Sequence, residues 1–155
     1  MGEHLVGVIA DTHGLVREEA LQALRGTELI VHAGDIGSYQ VLEALRKIAP
    51  VIAVRGNVDR GEWAETLHQT EVVAVGQVCL YVLHDVGQLD LDPAAAGFHG
   101  VISGHSHRPV LRERGKVVYL NPGSAGPRRF ALPVSLGILR IQNTEIKAEL
   151  IELAG

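Results

Sequence analysis

A two-sheet α/β sandwich is the fold this sequence predicts, on three observations. Apolar runs of strand type alternate with amphipathic helical stretches up to about residue 60, a β-α-β-α-β order that calls for a parallel sheet. Beyond residue 70 the helices give way to paired strands joined by short Gly- or Asn-bearing turns. At 155 residues, with 46% apolar but only 4% aromatic residues, the chain has enough aliphatic material for one sizeable core. A single domain over 1–155 is therefore expected.

The elements follow in order. Leu5-Val6-Gly7-Val8-Ile9-Ala10 has the length and β-branched content of a buried strand. Leu15 to Arg25 places Val16, Ala20, Leu21 and Leu24 at helical spacing, with acidic Glu18 and Glu19 early and Gly26 as a stop. Leu29-Ile30-Val31 is a second strand. Ser38 then caps a helix whose Val41, Leu42, Leu45 and Ile48 form one stripe, and Pro50 ends it. Val51 to Val54 is the third strand. Three hairpins are expected next: Val72–Val75 with Val78–Leu83, Pro109–Glu113 with Lys116–Leu120, and Val134–Ile141 with Glu145–Leu150. Val101-Ile102-Ser103 is a short strand before the second hairpin. Ile146, Ala148 and Leu150 alternate with Glu145, Lys147 and Glu149, the period of a half-buried antiparallel edge.

The totals exclude several classes. A net charge of −4 argues against a stable nucleic-acid complex. One cysteine, Cys79, excludes an internal disulfide. No apolar run reaches the 18 or so residues of a membrane span, and Glu3 and His4 stand where a signal peptide would be basic, then apolar. The cytoplasm is the expected compartment. The composition leaves a homo-oligomer open.

Polar residues of metal-ligand type recur just beyond one strand after another: Asp11 and His13, Asp35, Asn57, His84, then His105 and His107. Strands of an open α/β sheet carry their sites at such C-terminal ends. Seven ligands suffice for two divalent ions if one carboxylate bridges them. Carboxylates mixed with imidazoles suit Mn²⁺, Ni²⁺, Fe, Zn²⁺ or Co²⁺ better than Ca²⁺. Glycines at 14, 34, 56 and 104 fit backbone passing close to the ions, where a Cβ would obstruct it.

Asp11-x-His13, Gly34-Asp35, Gly56-Asn57, His84 and Gly104-His105-x-His107, in this order, resemble the calcineurin-like metallophosphoesterases. Within that superfamily the chain is similar to the small phosphodiesterases of the YfcE type, including the turn Asn121-Pro122-Gly123-Ser124. The resemblance implies a four-layer αββα sandwich of two mixed sheets flanked by helices. It implies one metal held by Asp11, His13, Asp35 and His107, and a second held by Asp35, Asn57, His84 and His105. Asp35 would bridge. Mn²⁺ is the first expectation for the ions, and a hydroxide bridging them would attack the phosphorus of a small phosphate ester, a diester before a monoester. Asp35, Asn57 and His105 are the expected catalytic residues. The alternative is a weakly active or inactive protein-binding scaffold like the retromer subunit of this fold. A nuclease or cyclic-nucleotide enzyme would be expected to carry capping segments for which 155 residues leave no room.

Two departures stand out against the resemblance. Relatives often carry a proton-donating His after Gly-Asn, where this chain has Val58, and a His-Gly-His with a long helix where it has His84-Asp85-Val86 and a short segment. Asp59 is expected to hydrogen-bond a ligand imidazole. His32 reads as structural, Cys79 and Trp63 as packing, and His4, His68 and His99 carry no motif. Arg128-Arg129 is either a phosphate-recognition pair or, the favoured reading, a solvated loop. Arg55 is open in the same way.

Overall fold

The computed structural model describes residues 2–129 and 131–153. Its first sheet takes β1 (His4–Ile9), β2 (Leu29–His32), β3 (Val51–Ala53), β9 (Ser135–Gln142) and β10 (Glu145–Glu152), in the order β10-β9-β1-β2-β3. β1, β2 and β3 run parallel, while β9 is antiparallel to both β1 and β10. The second sheet orders β4 (Thr70–Val75), β5 (Val78–Leu83), β6 (Gly100–Ile102), β8 (Val117–Pro122) and β7 (Pro109–Arg114) as β4-β5-β6-β8-β7. Its centre, β5-β6-β8, is parallel and its two margins antiparallel. The two mixed sheets are those the sequence predicts.

Valine, leucine and isoleucine from the facing sides of both sheets make the central core, including Val6, Val8, Val31, Leu80, Val82, Ile102, Leu120 and Ile141. Ile146, Ala148 and Leu150 of β10 pack on it, as their alternation requires. On the outer face of the first sheet, α1 (Glu18–Leu24) and α2 (Tyr39–Arg46) bury Ala20, Leu24, Val41, Leu42 and Leu45 against Ile9, Ile30 and Leu136. Each such aliphatic side chain contributes about 1.5–3 kcal/mol when fully buried. The outer face of the second sheet has a thin cover: Leu83, Val101 and Val117 lie under Tyr81, Tyr119 and Leu89. Here the layer is a single 3₁₀ turn, Val86–Gln88, and the turns that follow, in keeping with the short segment after His84.

Several boundaries differ from expectation. α1 begins at Glu18, not Leu15, because the Leu15 N–H closes a turn onto Thr12 O and Arg17 reaches away to Gly126 O. Ser38 occupies the N-cap of α2, but its hydroxyl makes no capping bond. α3 (Glu62–Glu65) was not apparent in the sequence, and its Trp63 packs on the helix-side core. All three hairpin loops are two residues long, and Gly76, Gly115 and Asn143 open them at positive φ. Among the described residues no helix is long and apolar enough to cross a membrane.

Candidate metal centre

Six parallel-running strand ends, β1, β2 and β3 from one sheet and β5, β6 and β8 from the other, open on the same edge of the sandwich. The hydrogen-bond ladder between the first two continues past the strands: Asp11 N–H donates to Gly34 O, His13 N–H to Asp35 O and Gly14 N–H to Ile36 O. That continuation lays Asp11 and His13 beside Asp35. Across the sheet gap, the His105 N–H donates to Asp11 Oδ2 at 3.1 Å, so the fifth motif is stitched to the first. Asn121 clamps the same loop by donating to Gly104 O and to Ser106 Oγ.

The side chains converge as two triads. Asp11, His13 and His107 form one and Asp35, His84 and His105 the other, with the donor atoms of each within 4.8 Å of one another. Asp35 Oδ2 faces both, 3.2 Å from His84 Nε2 and 3.8 Å from His13 Nε2. Asp11 Oδ1 similarly sits 3.7 Å from His107 Nε2 and 3.9 Å from His84 Nε2. His84 Nδ1 donates to Ala33 O at 2.7 Å, which fixes the tautomer and leaves Nε2 with a lone pair aimed at the centre. Six of the seven residues read from the sequence thus converge. Asn57 lies exposed on the turn after β3, lining the cleft that also contains His84.

Backbone and burial show how the site is held. Of the six non-glycine residues at positive φ among the described residues, five are Asp11, His13, Asp35, His105 and His107. The left-handed region costs a side-chain-bearing residue of order 1 kcal/mol, and such residues cluster where geometry is functional. Gly56 has no room for a Cβ, which would meet the backbone and Oδ1 of Asp35. Gly34 and Gly104 are similarly crowded, but Gly14 faces open space and is required only by its φ of +85°. Asp59 does not touch an imidazole. Its buried carboxylate accepts from Gly37 N–H and Gly56 N–H, tying the Asp35 loop to the Asn57 loop.

Charge is frustrated among the protein groups of the site. Burial and the neighbouring Asp35 charge push Asp11 up to about 7, although His84 pulls against them. Burial works the same way on Asp35, yet His84 and the Val58 N–H outweigh it and hold that carboxyl at about 2. His84 is raised, its desolvation more than offset by Asp35 and the Ala33 carbonyl. Burial, joined by the positive charge of Arg129, lowers His13, and brings His107 to about 4. Asp11 Oδ1 and His84 Nε2 are buried with no hydrogen-bond partner, the contact of the latter with Asp35 lacking hydrogen-bond geometry. Buried acceptors left without donors fit a cation between them.

The family model described as the calcineurin-like phosphoesterase superfamily domain matches residues 5–144. The chain belongs to the calcineurin-like phosphoesterase superfamily. A probable metallophosphoesterase of Methanothermobacter thermautotrophicus is 39% identical over 95% of this chain and 91% of its own length. The phosphodiesterase YfcE of Escherichia coli is 30% identical over 84% of each chain. Vps29 of Chaetomium thermophilum shares the fold, with a TM-score of 0.77 at 18% identity over 97% of both chains. Membership of this superfamily implies divalent metal ions and phosphoester hydrolysis.

Sequence reading missed several supports of the site. Thr12 donates to Ile36 O and takes a hydrogen bond from His32 Nε2, whose Nδ1 accepts from Gly34 N–H; the fully buried His32 is thereby fixed as neutral and is not a ligand. Ser124 Oγ donates to Asp11 O, and Gly126 packs on the backbone of Asp11 and Thr12. That docked loop leads to Arg129. The Asn121–Ser124 turn was the signal for this brace; nothing in the sequence marked Thr12.

Proposed function

We propose that this protein is a dinuclear metal-dependent phosphodiesterase. Asp11, His13, Asp35 and His107 would hold one ion and Asp35, Asn57, His84 and His105 the other, with Mn²⁺ the first expectation and Ni²⁺, Fe, Zn²⁺ and Co²⁺ next. The observation that carries this reading is Asp35 Oδ2, which faces an imidazole of each triad. When bound, two divalent ions would clamp a phosphate, neutralise its charge and make water a nucleophile near pH 7. The chain supplies the rest. Ala33 orients His84, Val58 N–H orients Asp35, and Asp59 pins the Gly56–Asn57 turn, from which the exposed Asn57 amide would reach a metal and phosphate oxygens.

Diesters with good leaving groups are the favoured substrates. Position 58, where many relatives place a proton donor, is an exposed valine whose backbone alone serves the site. An absent general acid commonly lowers turnover about 10²–10⁴-fold, least for leaving groups that need no proton. The Vps29-like fold favours a second reading, a protein-binding scaffold. Against it stands a complete set of candidate ligands.

The test is hydrolysis of bis-p-nitrophenyl phosphate by metal-depleted protein reloaded with Mn²⁺ or Ni²⁺. Asp35→Asn and His84→Ala should each lower kcat by about 10³-fold or more, since both remove part of the ion clamp. Wild-type rates in both variants would overturn the metal-centre reading.

A further inference from the structure

A cleft of about 800 Å³ opens beside the metal centre, with His84 and Asn57 among its lining residues. Its volume is that of a pocket for a whole organic group, far more than a phosphate needs. The walls differ in charge. Arg55 and Arg60 come from the turn after β3, and Asp85 and Asp90 from the segment after β5, with Gln88 beside them and Tyr81 among the lining residues. Arg55 already spends its Nε–H on Asp59 O, and Asp59 has both oxygens on backbone N–H groups. What remains for a ligand is donor groups on one wall, the terminal N–H groups of Arg55 and the guanidinium of Arg60, and acceptor groups on the other, Asp90 and the Asp85 oxygen not bonded to Gly87 N–H.

We propose that this cleft receives one ester group of the substrate and selects a neutral, polyhydroxylated group of sugar or nucleoside size. The inference rests on the phosphodiesterase reading above. A hydroxyl both donates and accepts, so a group bearing several can bridge Arg60 and Asp90 at once. A charged group of either sign would be attracted by one wall and repelled by the other, whereas a neutral hydroxylated group can hydrogen-bond to both. Half-buried Tyr81, which also packs on the outer-face cluster and lies 5.1 Å from Phe98 between ring centroids, lines the cleft and would give a sugar or base apolar surface to rest on. The short segment after His84 leaves this side of the centre open, so the departure from the usual pattern makes room for the group.

Steady-state kinetics with Mn²⁺ and three diesters test this: bis-p-nitrophenyl phosphate, p-nitrophenyl thymidine 5′-phosphate and p-nitrophenyl phosphocholine. Wild-type protein should favour the thymidine ester over the phosphocholine ester by about tenfold or more in kcat/KM, as hydrogen-bonding sites discriminate. Arg60→Ala and Asp90→Ala, both exposed and away from the core, should cut the ratio of thymidine ester to bis-p-nitrophenyl phosphate about tenfold, chiefly through KM. Arg114→Ala, on the far hairpin, should leave that ratio alone. Chemical-shift changes at residues 60, 81 and 90 on adding thymidine to metal-free protein give a readout independent of turnover. Equal kcat/KM for all three esters, or an unchanged ratio in both variants, overturns the cleft assignment while leaving the phosphodiesterase reading intact. No hydrolysis of any ester overturns that reading first, and the thymidine shifts then decide the cleft on their own: present, they support it; absent, they overturn it. A sugar rather than a nucleoside as the true group would show as equal shifts from methyl glucoside and thymidine.

Discussion

His32 is the residue at which burial, hydrogen bonding and protonation are most tightly bound together. It lies wholly inside the protein, donates from Nε2 to Thr12 and accepts at Nδ1 from Gly34, a pattern open only to the neutral ring. Burial, helped by the charge of His84, lowers its pKa from 6.5 to about 3. The folded pKa is depressed, so the unfolded chain binds the proton first as pH falls. Stability is whole above pH 6.5 and declines as pH drops toward 3, by about 1.4 kcal/mol per unit where one proton separates the states. Urea unfolding between pH 7 and 4 should show that slope, and His32→Gln should remove about one proton's worth of it. Arg129 allows a second prediction at this scale. Its charge lowers His13, His107 and Asp11, so this exposed guanidinium acts electrostatically on the centre. Arg129→Ala should raise KM for an anionic diester about tenfold while changing kcat less than threefold, because an exposed cation contributes mainly to binding. A fall in kcat alone would remove it from substrate recognition.

At the scale of elements, strand direction accounts for what the sequence revealed and what it hid. Parallel strands all deliver their following residues to one edge, so Asp11, Asp35 and Asn57 could be brought together from the β-α-β-α-β order alone. Reading His84, His105 and His107 as their partners needed the second sheet to face the first, which hydrophobic period cannot show; the motif resemblance filled that gap. The left-handed backbone at five candidate ligands was invisible, since neither propensity nor spacing encodes φ for Asp or His. The role of Asp59 was misread for a related reason. Its partners are the N–H groups of Gly37 and Gly56, and a backbone donor leaves no mark in side-chain patterns. Gly56 tests how narrowly these turns are fitted. A methyl group there would press on the Asp35 carboxylate, and a displacement of about 1 Å at a catalytic group costs on the order of 10²-fold in rate. Gly56→Ala should therefore lose about that much activity while the far-ultraviolet dichroism of both sheets is kept. Activity near wild type would mean that Asp35 does not need its present position.

For the whole molecule, the centre is where the fold stores its opposition to itself. The sheets and helices bury aliphatic surface on both sides of β1 and need no ion to do so. At the edge they hold two buried carboxylates near each other, an Asp11 oxygen and a His84 nitrogen without hydrogen-bond partners, and five residues in left-handed backbone. Unfolding relieves all of these at once, but it also disperses the two ligand sets and releases any divalent ions they hold. Mn²⁺ should therefore raise the melting temperature, by linkage. At 100 times its dissociation constant an ion adds about 2.7 kcal/mol, which for a chain of this size is about 5–10 °C. Differential scanning calorimetry with and without Mn²⁺, reversed by a chelator, measures it. The same titration on Asp35→Asn separates shared from independent sites. If one Asp35 oxygen serves both ions, the variant should lose nearly the whole shift; if each triad binds alone, the Asp11, His13 and His107 half should persist and about half the shift with it.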